Sequence, residues 1–207
     1  RSGKRTLLRE KYGIPDNMIV LGHVGRFDVQ KNQIFLLDLL KKLISKDHNN
    51  YLLFMVGDGW MQNSIKKRVK EYCLEEYIIF TGEVPNSQDY YNMMDIFLMP
   101  SLFEGYCIAL EEAEVNGLPC LASQYIPKEV NVSDKITYLP LNVTVWREQI
   151  LKTSLEKRCT DAAEELRMKG YDIYDAAKRL QDEYIQLYQE NIEEKDHVQY
   201  NRHHSNL

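Results

Sequence analysis

Six short apolar runs, each followed by a polar or amphipathic segment, constrain the fold of this chain more than any other feature of its sequence. The first run, MIVLGHV at residues 18–24, is apolar on both faces, as a strand inside a parallel sheet must be. The segment NQIFLLDLLKKLISK comes soon after it and repeats its apolar residues at the spacing of an amphipathic helix. A strand followed by a helix is the repeating unit of a parallel sheet.

Five further runs continue this pattern along the chain. They are YLLFMVG (51–57), YIIFTG (77–82), DIFLMP (95–100), LPCLAS (118–123) and ITYLPL (136–141). After the last run come helical patterns over residues 143–159, 161–169 and 173–189. Because βαβ crossovers are right-handed, the alternation predicts an α/β fold, a Rossmann-like doubly wound parallel sheet with C-terminal helices. We expect this domain to span residues 1–190, and the polar, unpatterned residues 191–207 to form a disordered tail.

The balance of charges excludes several classes of partner. The chain of 207 residues has a formal net charge of -5, so it has no general attraction for nucleic acid or anionic lipid. A phosphate site must therefore be a local cluster of cations and backbone amides. The N-terminal sequence RSGKRTLLREKYGIPDN lacks the apolar core of a signal peptide. We expect a cytoplasmic protein, which in its full-length form can lie peripherally at the inner face of the plasma membrane.

The cysteines and histidines do not form a metal-binding pattern. None of the four cysteines belongs to a CxxC pair, which favours buried thiols in a reducing compartment over zinc ligands or disulfides. A buried thiol is also the favoured interpretation of Cys107, because no histidine lies near it in sequence. The chain has no HExxH, GxSxG, GxGxxG or Walker sequence, and we expect no metal.

Two cations follow the first predicted strand. In a doubly wound domain, ligands bind beyond the carboxyl ends of the strands, and the loop GRFDVQKN begins there at Gly25. It carries Arg26 and Lys31 close to the start of a helix. A guanidinium fork and an ammonium group can together clamp a diphosphate. The alternative interpretation is two solvated surface cations, because most lysines and arginines are exposed.

A glutamate-rich segment, PSLFEGYCIALEEAEVNGLPC, follows the fourth predicted strand. Gly105 lets the backbone turn or approach a ligand, and we expect a helix to start near it. The amides of Ile108 and Ala109 then lie in the first turn, where unpaired N–H groups favour an anion. Glu104 can accept hydrogen bonds from sugar hydroxyls. The alternative is that Glu104 only stabilises the helix dipole, by up to about 1 kcal/mol.

Two adjacent glutamates lie about two turns into that helix. Glu111 or Glu112 is expected to lie partly buried beside the sheet and to bind the hydroxyls of a ribose, but helical angles alone do not decide which of them points inward. A third loop, TGEVPNSQ, offers the apolar surface and the backbone groups of Val84 to a base. The turn Gly57-Asp58-Gly59 is interpreted as a connection.

Taken in order, VGRFDVQKN, FTGEVPN and PSLFEGYCIALEEAEVNGLPCLAS resemble the C-terminal, donor-binding domain of retaining GT-B glycosyltransferases of family 4, or group 1. The third segment contains the E-x7-E spacing, from Glu104 to Glu112. The resemblance implies that Glu112 binds ribose and that Glu104 binds hydroxyls of the donor sugar. It also implies that Arg26 and Lys31 bind the diphosphate and stabilise the leaving group.

The same resemblance assigns the remaining groups of the donor site. The amides near Ile108 and Ala109 would complete the phosphate site, and the backbone at Val84 would meet the base. The donor would be a UDP-sugar or GDP-sugar, bound without a metal. The family often has glycine where this chain has Cys107, so a side chain lies close to the expected phosphate position.

The sequence SQYIPKEV after the fifth strand resembles the branch found in bacterial capsule and exopolysaccharide clusters, whose acceptors are saccharides, usually lipid-linked. The resemblance covers one half of a GT-B enzyme. We therefore expect a fragment that binds the donor but, without the N-terminal GT-B domain, transfers sugar poorly or not at all. The alternatives are a non-catalytic nucleotide-binding or interaction module and a GT-B epimerase acting on UDP-N-acetylglucosamine, which the E-x7-E spacing disfavours.

Overall fold

A six-stranded parallel sheet forms the centre of the structure. The computed structural model describes residues 2–45, 50–131, 135–153, 155 and 162–204. The strands are β1 (Ile19–Val24), β2 (Tyr51–Val56), β3 (Ile78–Phe80), β4 (Ile96–Met99), β5 (Cys120–Ser123) and β6 (Ile136–Leu139). Their order in the sheet is β3-β2-β1-β4-β5-β6, and every pair is parallel. The predicted doubly wound fold is confirmed, and its strand order reverses direction between β1 and β4.

Helices alternate with these strands. They are α1 (Ser2–Lys11), α2 (Gln33–Ile44), α3 (Gln62–Glu71), α4 (Ser87–Tyr90), α5 (Ile108–Val115), α6 (Val143–Lys152), α7 (Ala162–Met168) and α8 (Ile173–His204). Helix α6 starts where the side chain of Asn142 accepts hydrogen bonds from two amides of its first turn. Helix α5 begins at Ile108, three residues later than the predicted start near Gly105. Within the described ranges, each helix is too short or too polar to pass through a membrane.

The chain divides into two compact units, one ending at Ala163 and the other beginning at Glu164. The sequence instead predicts one domain over residues 1–190 and a disordered tail from 191. Helix α8 runs from Ile173 to His204 and therefore continues past residue 190. Residues 173–204 include neither glycine nor proline, so nothing in this stretch breaks a helix. Residues 205–207 lie outside the described residues.

Each face of the sheet carries its own hydrophobic cluster. Side chains alternate along the strands: Val20 belongs to one cluster and Leu21 to the other. Leu110 and Ala113 of α5 join the first cluster, whereas α2, α3 and α6 bury apolar side chains in the second. Both faces of the sheet are covered, which explains why its strands are apolar throughout and leaves the strand ends as the place for a ligand.

A buried ion pair ties helix α1 to the start of β4. The guanidinium of Arg9, which is almost fully buried, lies 2.7 Å from Asp95 and also donates to backbone carbonyls of residues 15, 16, 18 and 93. Arg5 binds the other oxygen of Asp95 at 2.6 Å. Burial lowers the pKa of Arg9, and Asp95 opposes that shift. These contacts lie at the amino end of β4, opposite the strand ends that were predicted to bind a ligand.

Candidate functional site

The loops that follow β1 and β4 form one continuous surface at the carboxyl edge of the sheet. The amide of Leu102 donates to the carbonyl of Gln30 at 2.8 Å. The side chain of Asn32 donates to the carbonyl of Pro100 at 3.1 Å, and that of Gln30 to the carbonyl of Phe103 at 3.0 Å. Because β1 and β4 are neighbours where the strand order reverses, the two predicted site loops meet there.

At this junction, Lys31 and Glu104 are in direct contact. The ammonium Nζ lies 2.7 Å from Oε1 of Glu104, and Gln30 donates to Oε2 at 3.1 Å. The side chains of Lys31 and Glu104 are 17% and 5% exposed, so this is a largely buried ion pair. The cation predicted for the diphosphate and the carboxylate predicted for the sugar thus form a single unit, in which Gln30 was not foreseen.

The other predicted cation, Arg26, is far more exposed. Its side chain is 73% exposed and contacts Asp28, whose carboxylate is 8% exposed, through Nε at 2.8 Å. The backbone carbonyl of Arg26 accepts a hydrogen bond from the buried side chain of Gln33. The backbone of Arg26 is therefore held in place, while most of its side chain is exposed to solvent.

The first turn of α5 lies close enough to the Lys31–Glu104 pair for both charges to act on Cys107, the residue before the helix. The amides of Leu110 and Glu111 both donate to the carbonyl of Cys107, so the amides of Ile108 and Ala109 precede the first intrahelical hydrogen bond. The thiol of Cys107 is buried, and burial raises its pKa to about 11. Such a thiol stays protonated near neutral pH, which agrees with the interpretation of Cys107 as a buried, unreactive cysteine.

Glu112 is distinguished from Glu111 by a buried tyrosine. The hydroxyl of Tyr91 lies 2.8 Å from Oε2 of Glu112 and 3.1 Å from the carbonyl of Ala109. Burial, and then the nearby Glu112, raise the pKa of Tyr91, so its hydroxyl stays neutral and donates to the carboxylate. Both glutamates are half-buried and line a cavity of about 480 Å³, to which α1 and α4 also contribute residues. Tyr91 therefore orients the carboxylate of Glu112.

A second hollow lies directly over the ends of β1 and β2. Its volume is about 310 Å³, and Gly25, Gly57, Val84 and Ser87 are among the residues that line it. The structure therefore brings the predicted residues Gly25 and Val84 together. It places Arg26, Lys31 and Glu104 at the junction of the β1 and β4 loops, and Glu112 in a separate cavity that Lys4 of α1 also lines.

The turn Gly57-Asp58-Gly59, interpreted from the sequence as a connection, supports the loop that carries Arg26. The amide of Phe27 donates to the carbonyl of Asp58 at 2.8 Å, and the amide of Gly25 to the carbonyl of Val56 at 3.0 Å. A Cβ atom on Gly57 would lie 2.2 Å from the carbonyl oxygen of Gly25. The glycine permits a contact between backbones that any side chain would prevent.

Replacement of Gly57 by alanine is expected to lower the free energy of unfolding by about 1–3 kcal/mol, because the new side chain meets the backbone and because φ is +129°. Gly105→Ala is the matched control, since a Cβ there meets no atom within 4 Å. Urea unfolding of both variants measures the difference. Equal stabilities would show that the Gly57 turn adapts without strain.

Comparison with known proteins identifies the family. A family model described as glycosyl transferases group 1 matches residues 4–158. Glycosyltransferase EpsF of Bacillus subtilis is 32% identical over 165 residues, which are 77% of this chain and 43% of that protein. The chain belongs to the glycosyl transferases group 1 family. The resemblance of its loop sequences to this family is thereby confirmed.

Other group 1 relatives and solved glycosyltransferase structures agree. The UDP-Gal:alpha-D-GlcNAc-diphosphoundecaprenol alpha-1,3-galactosyltransferase of Escherichia coli is 26% identical over 194 residues, 87% of this chain and 49% of that protein. WaaG, a glycosyltransferase involved in lipopolysaccharide biosynthesis, has a TM-score of 0.67 at 22% identity and matches 81% of this chain and 46% of its own. Anabaena HepE, solved with UDP and glucose, has a TM-score of 0.72 at 18% identity over 89% of this chain and 52% of its own. The chain spans about half the length of these relatives, and its fold is that of one half of a GT-B enzyme.

Three residues at the site were not foreseen from the sequence. Asp28 and Gln30 lie inside the predicted loop GRFDVQKN, and their polar side chains between two cations were a usable signal. Tyr91 follows the short helix α4, and its contact with α5 depends on tertiary packing that carries no sequence signal. Among the described residues, His, Cys, Asp and Glu side chains nowhere form a group of three or more that could hold a metal ion.

Proposed function

We propose that this chain is the donor-binding domain of a retaining glycosyltransferase that uses a nucleoside-diphosphate sugar in surface-polysaccharide biosynthesis. The observation that carries the proposal is the Lys31–Glu104 pair with Gln30, placed beside the first turn of α5 at the point where the strand order reverses. A cation that can bind phosphate and a carboxylate that can bind sugar hydroxyls are there in direct contact.

The ion pair can bind a donor without breaking. A lysine ammonium has three N–H donors, and Glu104 accepts only one of them. A carboxylate has about four acceptor positions, of which Lys31 and Gln30 occupy two. Lys31 can therefore donate to a phosphate while Glu104 accepts from sugar hydroxyls.

Negative charge develops on the β-phosphate as the bond between sugar and phosphate breaks. Arg26, Lys31 and the first amides of α5 would stabilise that charge more than they stabilise the bound donor, which is how a preorganised site lowers a barrier. Glu104 positions the sugar in this scheme. That no metal is needed stays a prediction.

The substrates of related proteins suggest the rest of the substrates of this one. The E. coli relative acts on a diphosphoundecaprenol-linked sugar with UDP-galactose, and HepE was solved with UDP. We therefore propose that the donor is a UDP-sugar rather than a GDP-sugar, and that the acceptor is a lipid-linked saccharide. The acceptor would be bound with an N-terminal GT-B domain, on the cytoplasmic side of the membrane.

Glu112→Ala is expected to weaken UDP binding about 10- to 150-fold, because the charge-assisted hydrogen bonds to the ribose, worth about 1.5–3 kcal/mol, are lost. Isothermal titration calorimetry with UDP and GDP measures the effect. Glu111→Ala is the matched control, since it removes a neighbouring carboxylate that lines the same cavity but makes no described bond to Tyr91.

Three results would each contradict a part of the proposal. If the unchanged chain bound neither UDP nor GDP, the donor-binding function would be wrong. If Glu111→Ala weakened binding and Glu112→Ala did not, the ribose would be assigned to the wrong glutamate. Efficient sugar transfer by this chain alone would contradict the interpretation that it is half of an enzyme.

A further inference from the structure

We propose that Asp28 is a positioning residue that sets the direction of Arg26 and the backbone of Lys31 for binding the diphosphate. This inference rests on the proposed function of the two cations. It assigns a role to a carboxylate that lies inside a site meant for an anion, where a negative charge would otherwise only repel the ligand.

Each oxygen of the Asp28 carboxylate accepts a hydrogen bond from one of the two cationic residues. Oδ2 accepts from Nε of Arg26 at 2.8 Å, and Oδ1 accepts from the backbone amide of Lys31 at 3.0 Å. The carboxylate is 8% exposed. A buried carboxylate with two such bonds is fixed in place and fixes its partners.

The residue before Asp28 is anchored in the core of the domain. Phe27 is fully buried, its ring packs edge-on against Phe80, and its amide and carbonyl bond to Asp58 and Met61. Asp28 therefore cannot shift freely, and the direction it gives to Arg26 is transmitted from the core. The structure thus links the fold to the orientation of one exposed guanidinium.

The contact between Arg26 and Asp28 leaves most of the N–H donors of the guanidinium available to a ligand. A guanidinium has five N–H donors, and Asp28 uses the single one on Nε. The two terminal nitrogens, which form the fork that matches phosphate oxygens, make no hydrogen bond to the described residues, on a side chain that is 73% exposed. Holding Arg26 by Nε removes rotamer freedom before the phosphate arrives.

The relative exposure of the charges at the site also favours the binding of an anion. Asp28 and Glu104 are 8% and 5% exposed, whereas their partners Arg26 and Lys31 are 73% and 17% exposed. Each cation thus stands further out than the carboxylate that holds it. An incoming diphosphate meets the cations first, although the four charges sum to zero.

Asp28→Asn distinguishes a positioning role of Asp28 from a purely repulsive one, because the two roles predict opposite changes in UDP affinity. If Asp28 only adds negative charge, its removal tightens UDP binding; if it positions the cations, its removal weakens binding. We expect Asp28→Asn to weaken UDP binding about tenfold and to leave the weaker binding of uridine, which lacks the diphosphate, unchanged. Glu76→Gln is the control, because it removes one negative charge from an exposed residue before β3 and makes no described contact with either cation. It should bind UDP at least as tightly as the unchanged chain.

A double-mutant cycle isolates the role of Arg26. In an Arg26→Ala background, Asp28→Asn should weaken UDP binding only through Lys31, so the effect should be smaller than in the unchanged chain. Unchanged or tighter UDP binding by Asp28→Asn would overturn the assignment while leaving the proposed function standing. If the unchanged chain bound neither UDP nor GDP, the proposed function itself would be contradicted.

A measurement on the unchanged chain covers the case in which Asp28 variants do not fold. The Nε–H of Arg26 should give a slowly exchanging NMR signal in arginine-labelled protein, identified by its loss in Arg26→Ala. An Nε–H that exchanges with water as fast as that of a free arginine would overturn the proposal.

Discussion

Replacement of Lys31 by methionine is expected to lower the free energy of unfolding by about 3–5 kcal/mol, as the loss of one partner of a buried ion pair does in other proteins. The carboxylate of Glu104 is 5% exposed and would keep only its hydrogen bond from Gln30. Methionine has a length close to that of lysine, so the effect reports the lost charge more than a lost volume. Urea unfolding at neutral pH measures it.

Two controls give this result its meaning. The double variant Lys31→Met with Glu104→Gln removes both charges and should recover most of the lost stability, because no unpaired charge stays buried. Lys4→Met breaks an ion pair of similar length between Lys4 and Asp89, whose two side chains are 62% and 42% exposed respectively. Because this pair is exposed, its loss should change the free energy of unfolding by no more than about 1 kcal/mol. A Lys31→Met variant as stable as Lys4→Met would show that water reaches the Glu104 carboxylate.

The Lys31–Glu104 pair makes stability and donor binding depend on the same two side chains. A variant that loses UDP binding after a change at Lys31 could have lost either the phosphate contact or the folded loop. Changes at Glu112 are free of this ambiguity, because its described hydrogen-bond partner Tyr91 is neutral and no buried cation is left unpaired. Glu112 is therefore the better residue on which to test donor binding.

The sheet could be predicted from sequence because each strand is buried on both faces. The predicted runs contain all six strands, with differences of one to three residues at their ends. Helix α1 was missed, because its sequence is polar and its attachment depends on Arg5 and Arg9 reaching Asp95, about 90 positions along the chain. Contacts between residues so far apart in sequence leave no local pattern.

The loops of the site could also be predicted, but not the contacts between them. Parallel strands place the segments after β1 and β4 at one edge, so Lys31 and Glu104 were expected near one ligand. That they would pair with each other depends on side-chain rotamers, which the sequence does not determine. The choice between Glu111 and Glu112 likewise required the position of Tyr91, on another element of the fold.

His23 is a buried titratable group beneath the same site. It is fully buried in β1, and its Nδ1 lies 3.0 Å from the carbonyl of Leu98, so Nδ1 carries the proton. Its Nε2 then accepts from the side chain of Gln33 at 3.2 Å. Burial lowers the pKa of His23 to about 4, the hydrogen bond to Leu98 opposes this shift, and the charge of Lys31 adds to it. The imidazole is therefore neutral in the folded protein above that pH.

Acidification should destabilise the protein through His23. In the unfolded chain a histidine has a pKa of about 6.5, so between pH 6.5 and 4 the unfolded state binds more protons than the folded state, and stability falls as the pH falls. The full shift corresponds to about 3 kcal/mol. His23→Gln should lose that part of the pH dependence while keeping the contribution of the carboxylates.

Urea unfolding of both chains at pH 7, 6, 5 and 4.5 tests the prediction, and the quantity to compare is the slope rather than the absolute stability. His23→Gln can be less stable than the unchanged chain at every pH, because a smaller side chain fills the site less well. Its curve should nevertheless approach that of the unchanged chain as the pH falls below 6.5. Parallel curves would mean that His23 has the same pKa in the folded and the unfolded chain, so that below about pH 6.5 it would put a positive charge next to the loop of Lys31 and Asp28.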